Sequence, residues 1–188
     1  DDTTIKHDGS NTKISHTGSG GLYIGADTFG IQNGAHNATH LSIDSSGAVT
    51  MPKQPAFSVV NSSAQNNIAI NSQVVTVFGT EIFDQNSDFS SNTFTAPVTG
   101  RYQLNGHMRI DAVDSAAYYY EMSFQTSNRA YGNIFDPDFG QDANFWTPTL
   151  SVLADMDAND TVTLELRQEN GTQQTDILTA YFSGYLVA

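Results

Sequence analysis

Residues 128–148 mix aromatics with amides and carboxylates more densely than any other part of the chain: Asn128-Arg129-Ala130-Tyr131-Gly132-Asn133-Ile134-Phe135-Asp136-Pro137-Asp138-Phe139-Gly140-Gln141-Asp142-Ala143-Asn144-Phe145-Trp146. An aromatic face stacks on a sugar ring, and a neighbouring carboxylate or amide accepts the sugar hydroxyls. The stretch therefore predicts a ligand site, with Tyr131 or Trp146 as the stacking ring and Asn133, Asp136 or Asp138 as acceptors. The competing use of Phe135, Phe139, Phe145 and Trp146 is packing beneath the loop or between subunits. Asp136-Pro137-Asp138 with Asp142 also clusters oxygen donors that would suit calcium, although no Asp-x-Asp-x-Asp-Gly loop is present. His7 and His16 follow Ile5 and Ile14 at the same two-residue spacing. Stacked on a threefold axis they would form rings of three imidazoles suited to zinc, iron or nickel. The alternative is that each isoleucine points inward and its histidine sits at the edge of a turn.

Catalytic chemistry has little support. The chain has no cysteine, so the nucleophile would be Ser or Thr, and no Gly-x-Ser-x-Gly elbow occurs. His107 is the only histidine after residue 40. Asp111 and Asp114 would pair for glycoside hydrolysis only at a separation the sequence does not fix. No enzyme and no cofactor are expected.

The elements that must hold these residues are strands. Of 188 residues, 38% are hydrophobic and only 14% charged. Asn, Ser, Thr, Gln and Gly fill the difference, a mix that favours strands and turns over helices. A net charge of −13 repels phosphate backbones, so nucleic acid is excluded as a partner. No apolar run is long enough to cross a bilayer, and membrane insertion is not expected. The start at Asp1-Asp2 fits a piece of a longer chain.

The texture changes near Met51-Pro52-Lys53-Gln54-Pro55. Only Tyr23 and Phe29 among the aromatics precede Pro55, whereas four of the five histidines do. Two prolines in four residues favour a stiff, extended connector over 52–55. Before it, Ile5-Lys6-His7-Asp8-Gly9-Ser10 recurs nine residues later as Ile14-Ser15-His16-Thr17-Gly18-Ser19. Residues 1–51 hold too few large apolar side chains to close a core alone. Three copies wound about an axis would bury Ile5, Ile14 and Ile24 together. This repeat resembles the β-structured shafts of phage fibres.

Residues 56–188 alternate. Tyr102, Leu104, Met108 and Ile110 fall on one strand face, as do Tyr118, Tyr120, Met122 and Phe124, and then Val162, Leu164 and Leu166. Asn105-Gly106, residues 157–160 and Asn170-Gly171 read as turns. Phe78, Asp84 and Phe89 lead into Thr93-Phe94-Thr95-Ala96-Pro97-Val98-Thr99-Gly100-Arg101-Tyr102, and the chain closes with Phe182-Ser183-Gly184-Tyr185-Leu186-Val187. These strings resemble the globular head of complement one-q, of the tumour-necrosis-factor superfamily. The resemblance implies an all-β fold, an antiparallel jelly-roll sandwich behind a short β-repeat stalk, assembled as a homotrimer. It places the uncharged closing strand, with Tyr185 and Val187, near the symmetry axis.

The combined expectation is a virion fibre or spike protein of a phage, exposed on the particle surface. Its N-terminal segment would join other virion proteins, and its head would attach to a host surface ligand such as a glycan. Two other classes fit the same features: a capsid or tail decoration protein that binds no receptor, and a secreted lectin-like adhesin.

Overall fold

Alternating apolar and polar residues, broken by Gly, Asn and Asp, leave strands as the regular structure this chain can form. In the computed structural model, which describes residues 3–188, every regular element is a strand. No helix among the described residues is long and apolar enough to cross a membrane. The chain divides into two compact units, Asp1–Met51 and Pro52–Ala188.

In the first unit the nine-residue repeat closes on itself. β1 (Thr3–His7) and β2 (Thr12–His16) form an antiparallel hairpin with Ile5 opposite Ile14. Asp8 makes the turn, accepting hydrogen bonds from the backbone N–H of Asn11 at 2.8 Å and of Ser10 at 3.1 Å. Gly9 supplies the left-handed residue, at φ 97°. β3 (Phe29–Gln32), β4 (Thr39–Ile43) and β5 (Val49–Thr50) form a second, three-stranded meander. No side chain from 4 to 51 is buried. Ile5 is 73% exposed, Ile14 53% and Ile24 62%.

The second unit is a two-sheet sandwich. The first sheet contains β6 (Ala56–Val60), β8 (Thr80–Asp84), β11 (Gly100–Val113), β14 (Ala143–Trp146), β15 (Thr149–Met156) and β17 (Asp176–Leu186). Its order is β14–β11–β17–β6–β8, with β15 beside β14 on the same edge of β11. The second sheet contains β7 (Gln73–Val75), β9 (Phe89–Ser90), β10 (Thr93–Thr95), β12 (Tyr119–Thr126), β13 (Ala130–Phe135) and β16 (Thr161–Glu169). It runs β13–β12–β16–β10–β9, and β7 shares the β16 edge with β10. All these pairings are antiparallel.

Between the sheets lies an aromatic cluster. Phe57 of the first sheet stacks on Phe94 of the second at 4.6 Å and on Phe89 at 5.3 Å. Phe182 meets Phe57 edge-on at 4.9 Å and stacks on Phe124 at 5.2 Å. The expected inward faces hold: Tyr102, Leu104, Met108 and Ile110 are fully buried, as are Val162, Leu164 and Leu166.

Four expectations change. Asn105-Gly106 is not a turn, because β11 runs through it. A Cβ at Gly106 would lie 2.7 Å from Met122 Cε, 3.0 Å from Phe124 Cζ and 3.1 Å from Leu164 Cδ1. The glycine makes room for the core rather than reversing the chain. A Gly106→Val substitution therefore lowers the thermal midpoint by roughly 10 °C, at a cost of about 2 kcal/mol in overpacking, readable by calorimetry.

Tyr118 leaves the buried row and is 73% exposed. The chain is still turning there, with Ala117 N–H donating to Asp114 O and Tyr118 N–H to Glu169 O. Residues 128–148 are not one long loop; β13 and β14 lie within them and leave 136–142 as the connection. Finally, residues 52–55 are no free connector. They form a turn bonded to the head, where Gln54 Nε2 donates to Leu186 O at 2.9 Å and Leu186 N–H to Pro55 O at 3.0 Å.

Candidate functional site

The aromatic stretch lies along one edge of the sandwich, where β13 of the second sheet and β14 and β15 of the first come together. β13 pairs with β12 so that Tyr131 is opposite Phe124, Asn133 opposite Met122 and Phe135 opposite Tyr120. Those partners point into the core, so Tyr131, Asn133 and Phe135 lie on the core-side face of β13, with Tyr131 and Phe135 half-buried and Asn133 exposed at the edge. Tyr131 packs against the core, and its hydroxyl donates to Asp155 Oδ1 at 3.2 Å. Burial pushes the Tyr131 phenol up from its ordinary range, and the Asp155 carboxylate adds to this. Asn133 Nδ2 donates to Thr149 O at 3.0 Å. Both residues thus tie the two sheets together along this edge.

Trp146 is placed differently. Phe135 stacks on buried Tyr120 at 5.1 Å and lies against Trp146 at 5.6 Å. Phe139, from the connection, stacks on Trp146 at 5.4 Å. The resulting ladder runs from the core to the surface, where Phe139 and Trp146 keep 42% and 44% exposure. Asp136 Oδ1 accepts the Asp138 N–H at 3.0 Å, which shapes the tip. The structure therefore brings Trp146, Asp136 and Asp138 to one exposed end and uses Tyr131 and Asn133 farther along the edge. Phe139 is the ring that the choice of Tyr131 and Trp146 passed over. Its signal was its place beside Asp138 in a tight turn, where Phe139 N–H donates to Pro137 O at 2.6 Å.

The neighbouring turns are tied together by hydrogen bonds. Asp114 is almost fully buried. Its Oδ2 accepts the N–H groups of Thr172 at 2.5 Å and Gln173 at 2.7 Å, and its Oδ1 that of Ala116 at 2.8 Å. Burial alone would raise its pKa, but these donors outweigh burial and hold the carboxyl below its ordinary range. Asp111 takes two bonds from Arg109, at 2.8 and 3.0 Å. Both carboxylates are thus committed to structure. Asp142 accepts from Ser115 N at 2.9 Å and Ser115 Oγ at 2.7 Å, which ties the 136–142 connection to the Asp114 turn. Those bonds draw Asp142 toward Ser115, whereas Asp136 accepts from within its own turn.

His7 and His16 share the face of Ile5 and Ile14 but lie at opposite ends of the hairpin, His7 across from Thr12 and His16 across from Thr3. Four residues of strand separate them, roughly 13 Å. One chain's pair cannot share an ion. No group of three His, Cys, Asp or Glu placed to hold a metal occurs among the described residues.

The outer face of the first sheet is the other distinctive surface. Register aligns Phe83, Ser58, Ser183, Asn105 and Ser151 in one row. Ala56, Tyr185, Gln103 and Leu153 form the next row, and Val60, Tyr181, His107 and Thr149 the one beyond the first. These three rows contain no Asp, Glu, Lys or Arg, in a chain of net charge −13. Phe83, Leu153, Tyr181 and Tyr185 on it are each at least 44% exposed. Its polar groups satisfy each other: Gln103 Nε2 donates to Ser151 Oγ at 2.9 Å, and Ser151 Oγ to Asn105 Oδ1 at 2.8 Å.

Comparison with known proteins agrees with this architecture. Among solved structures, the globular domain of zebrafish complement 1qA protein superposes with a TM-score of 0.55 at 19% identity, covering 72% of this chain and 98% of that one. Murine APRIL at pH 8.0 gives a TM-score of 0.52 at 8% identity, covering 72% of this chain and all of the other. At these identities the likeness is one of fold, the jelly-roll sandwich. No curated protein matches the sequence. The C1q domain family matches residues 56–187, nearly the whole sandwich. Domains of this family are typically extracellular binding or structural modules rather than enzymes, and they commonly form homotrimers. Through that sandwich, the chain belongs to the C1q domain family.

Proposed function

We propose that the chain is a homotrimeric fibre or spike protein of a virion, from a phage, whose C1q head attaches the particle to a glycan on the host surface. The observation that carries this reading is the first unit. It has regular strands and a repeated sequence, yet buries no side chain from 4 to 51. Fully burying one isoleucine is worth roughly 2 kcal/mol. Two further copies would supply that burial for Ile5, Ile14 and Ile24, as expected of a shaft.

The three uncharged rows on the outer face of the first sheet support the same assembly from the head, since subunit interfaces exclude charge from their centres. Tyr185 and Val187, each 49% exposed, lie on or beside that face. The N-terminal unit would join other virion proteins, and the aromatic edge would meet the ligand. Three shallow sites on one stalk raise avidity by about 100-fold or more over one site.

Adsorption tests the reading. Purified full-length protein should bind host envelopes, and its binding should saturate. Absence of binding to any host envelope, with the protein located on a capsid face, would instead assign it to decoration.

A further inference from the structure

The exposed aromatic edge stands among carboxylates, with every nearby cation already engaged. From residue 130 to 166 the chain has no Lys or Arg, while Asp136, Asp138 and Asp142 fall within the 136–142 connection. Arg129 is paired with Asp155 at 2.9 Å, and Arg167 with Glu169 at 2.5 Å. Arg109 is held by both oxygens of Asp111, and its guanidinium lies 5.1 Å from the centre of the Phe145 ring. Asp142 is taken up by Ser115, and Asp136 accepts the Asp138 N–H. The Asp138 carboxylate makes no hydrogen bond among the described residues, and it adjoins Phe139, the outer ring of the ladder.

Resting on the attachment reading above, we infer that this edge selects an amine-bearing sugar, a hexosamine with a free amino group. The sugar ring stacks on the outer face of Phe139, which Trp146 backs from within the ladder, and the ammonium faces Asp138. Two features of the surface determine the choice. An aromatic face carries a negative quadrupole that attracts a cation, and a free carboxylate beside it adds a directional acceptor. An ammonium about 4 Å from a carboxylate gains about fivefold in affinity even at the dielectric of water. A neutral sugar keeps the stacking and loses that gain. An acidic sugar meets three carboxylates and finds no free arginine or lysine to balance them.

The ranking is testable on the full chain with three short β-1,4-linked oligomers, of glucosamine, N-acetylglucosamine and a uronic acid, with oligolysine as a charge-only probe. Titration should give glucosamine oligomer tightest, the N-acetylated oligomer about fivefold weaker, and no detectable binding of the uronate. Asp138→Asn should bring the first two together without weakening the second, and Phe139→Ala should weaken both. Asp157→Asn, on a different turn, should change neither. Uronate binding as tight as glucosamine would overturn the inference, as would oligolysine matching the glucosamine oligomer with the same dependence on Asp138. If the protein adsorbs to host envelopes but binds none of the three oligomers, the amine-sugar inference fails and the attachment reading stands. If it does neither, both fail.

Discussion

Replacing Phe57 with alanine lowers the stability of the head by about 4 kcal/mol. Phe57 is 1% exposed and sits where the two sheets meet. It touches Phe89 and Phe94 from one sheet and Phe182 from its own, all within 5.3 Å. Truncation removes the transfer energy of the ring and also leaves a cavity. Aromatic walls cannot collapse into that cavity without giving up their own stacking. Gly184 sharpens the point, because a Cβ there would already lie 2.8 Å from Phe57 Cε1. Chemical denaturation followed through Trp146 fluorescence should show the midpoint falling with little change in slope. Phe57→Leu should lose less than half as much. A loss below about 1 kcal/mol for the alanine variant would mean that the cluster does not join the sheets as described.

Replacing Asp114 with alanine costs about 3 kcal/mol. Three backbone N–H groups, of Ala116, Thr172 and Gln173, lose a charged acceptor in a nearly closed site. Gly171, at φ 97°, carries the chain past this carboxylate, and a Cβ there would lie 2.5 Å from Asp114 Oδ2. Because the folded-state pKa of Asp114 is lowered, its contribution is fully present above the unfolded value near 3.8. It fades as pH falls below that value and through the folded one. Wild type and Asp114→Asn should therefore differ most at neutral pH and converge in acid, measured as denaturation midpoints between pH 7 and pH 2. A difference independent of pH would show that ionisation of Asp114 plays no part.

Much of the head was legible because strand alternation is local. Tyr102, Leu104, Met108 and Ile110 declare a buried face within nine residues, and the closing strand 182–187 carries the family pattern. Asn105-Gly106 misled because the pair is a strong hairpin signal in isolation. Its true reason, the space required by Met122, Phe124 and Leu164, lies on two other strands. Tyr118 misled in the opposite way: the alternating row starts one step before β12, where the chain is still turning.

The site was legible in composition and not in arrangement. Residues 128–148 announced aromatics among carboxylates. That Tyr131 and Asn133 would bond to β15, while Phe139 would cover Trp146, depends on how β13 and β14 meet at one edge of the sandwich. Asp114 was noticed only as a possible partner of Asp111; its structural role was hidden, because its Thr172 and Gln173 partners are backbone N–H groups far along the chain and carry no side-chain signature. In the first unit, the nine-residue repeat was visible, but its closure into a hairpin rested on Asp8 and Gly9 making the turn.

On the reading proposed above, two further copies of the chain close the unburied strands of residues 4–51 and the three uncharged rows of the first sheet. Sedimentation equilibrium of the full chain at micromolar concentration tests this most directly. A single species at about three times the 20.3 kDa chain mass is expected. A monomer of 20.3 kDa at that concentration would contradict it.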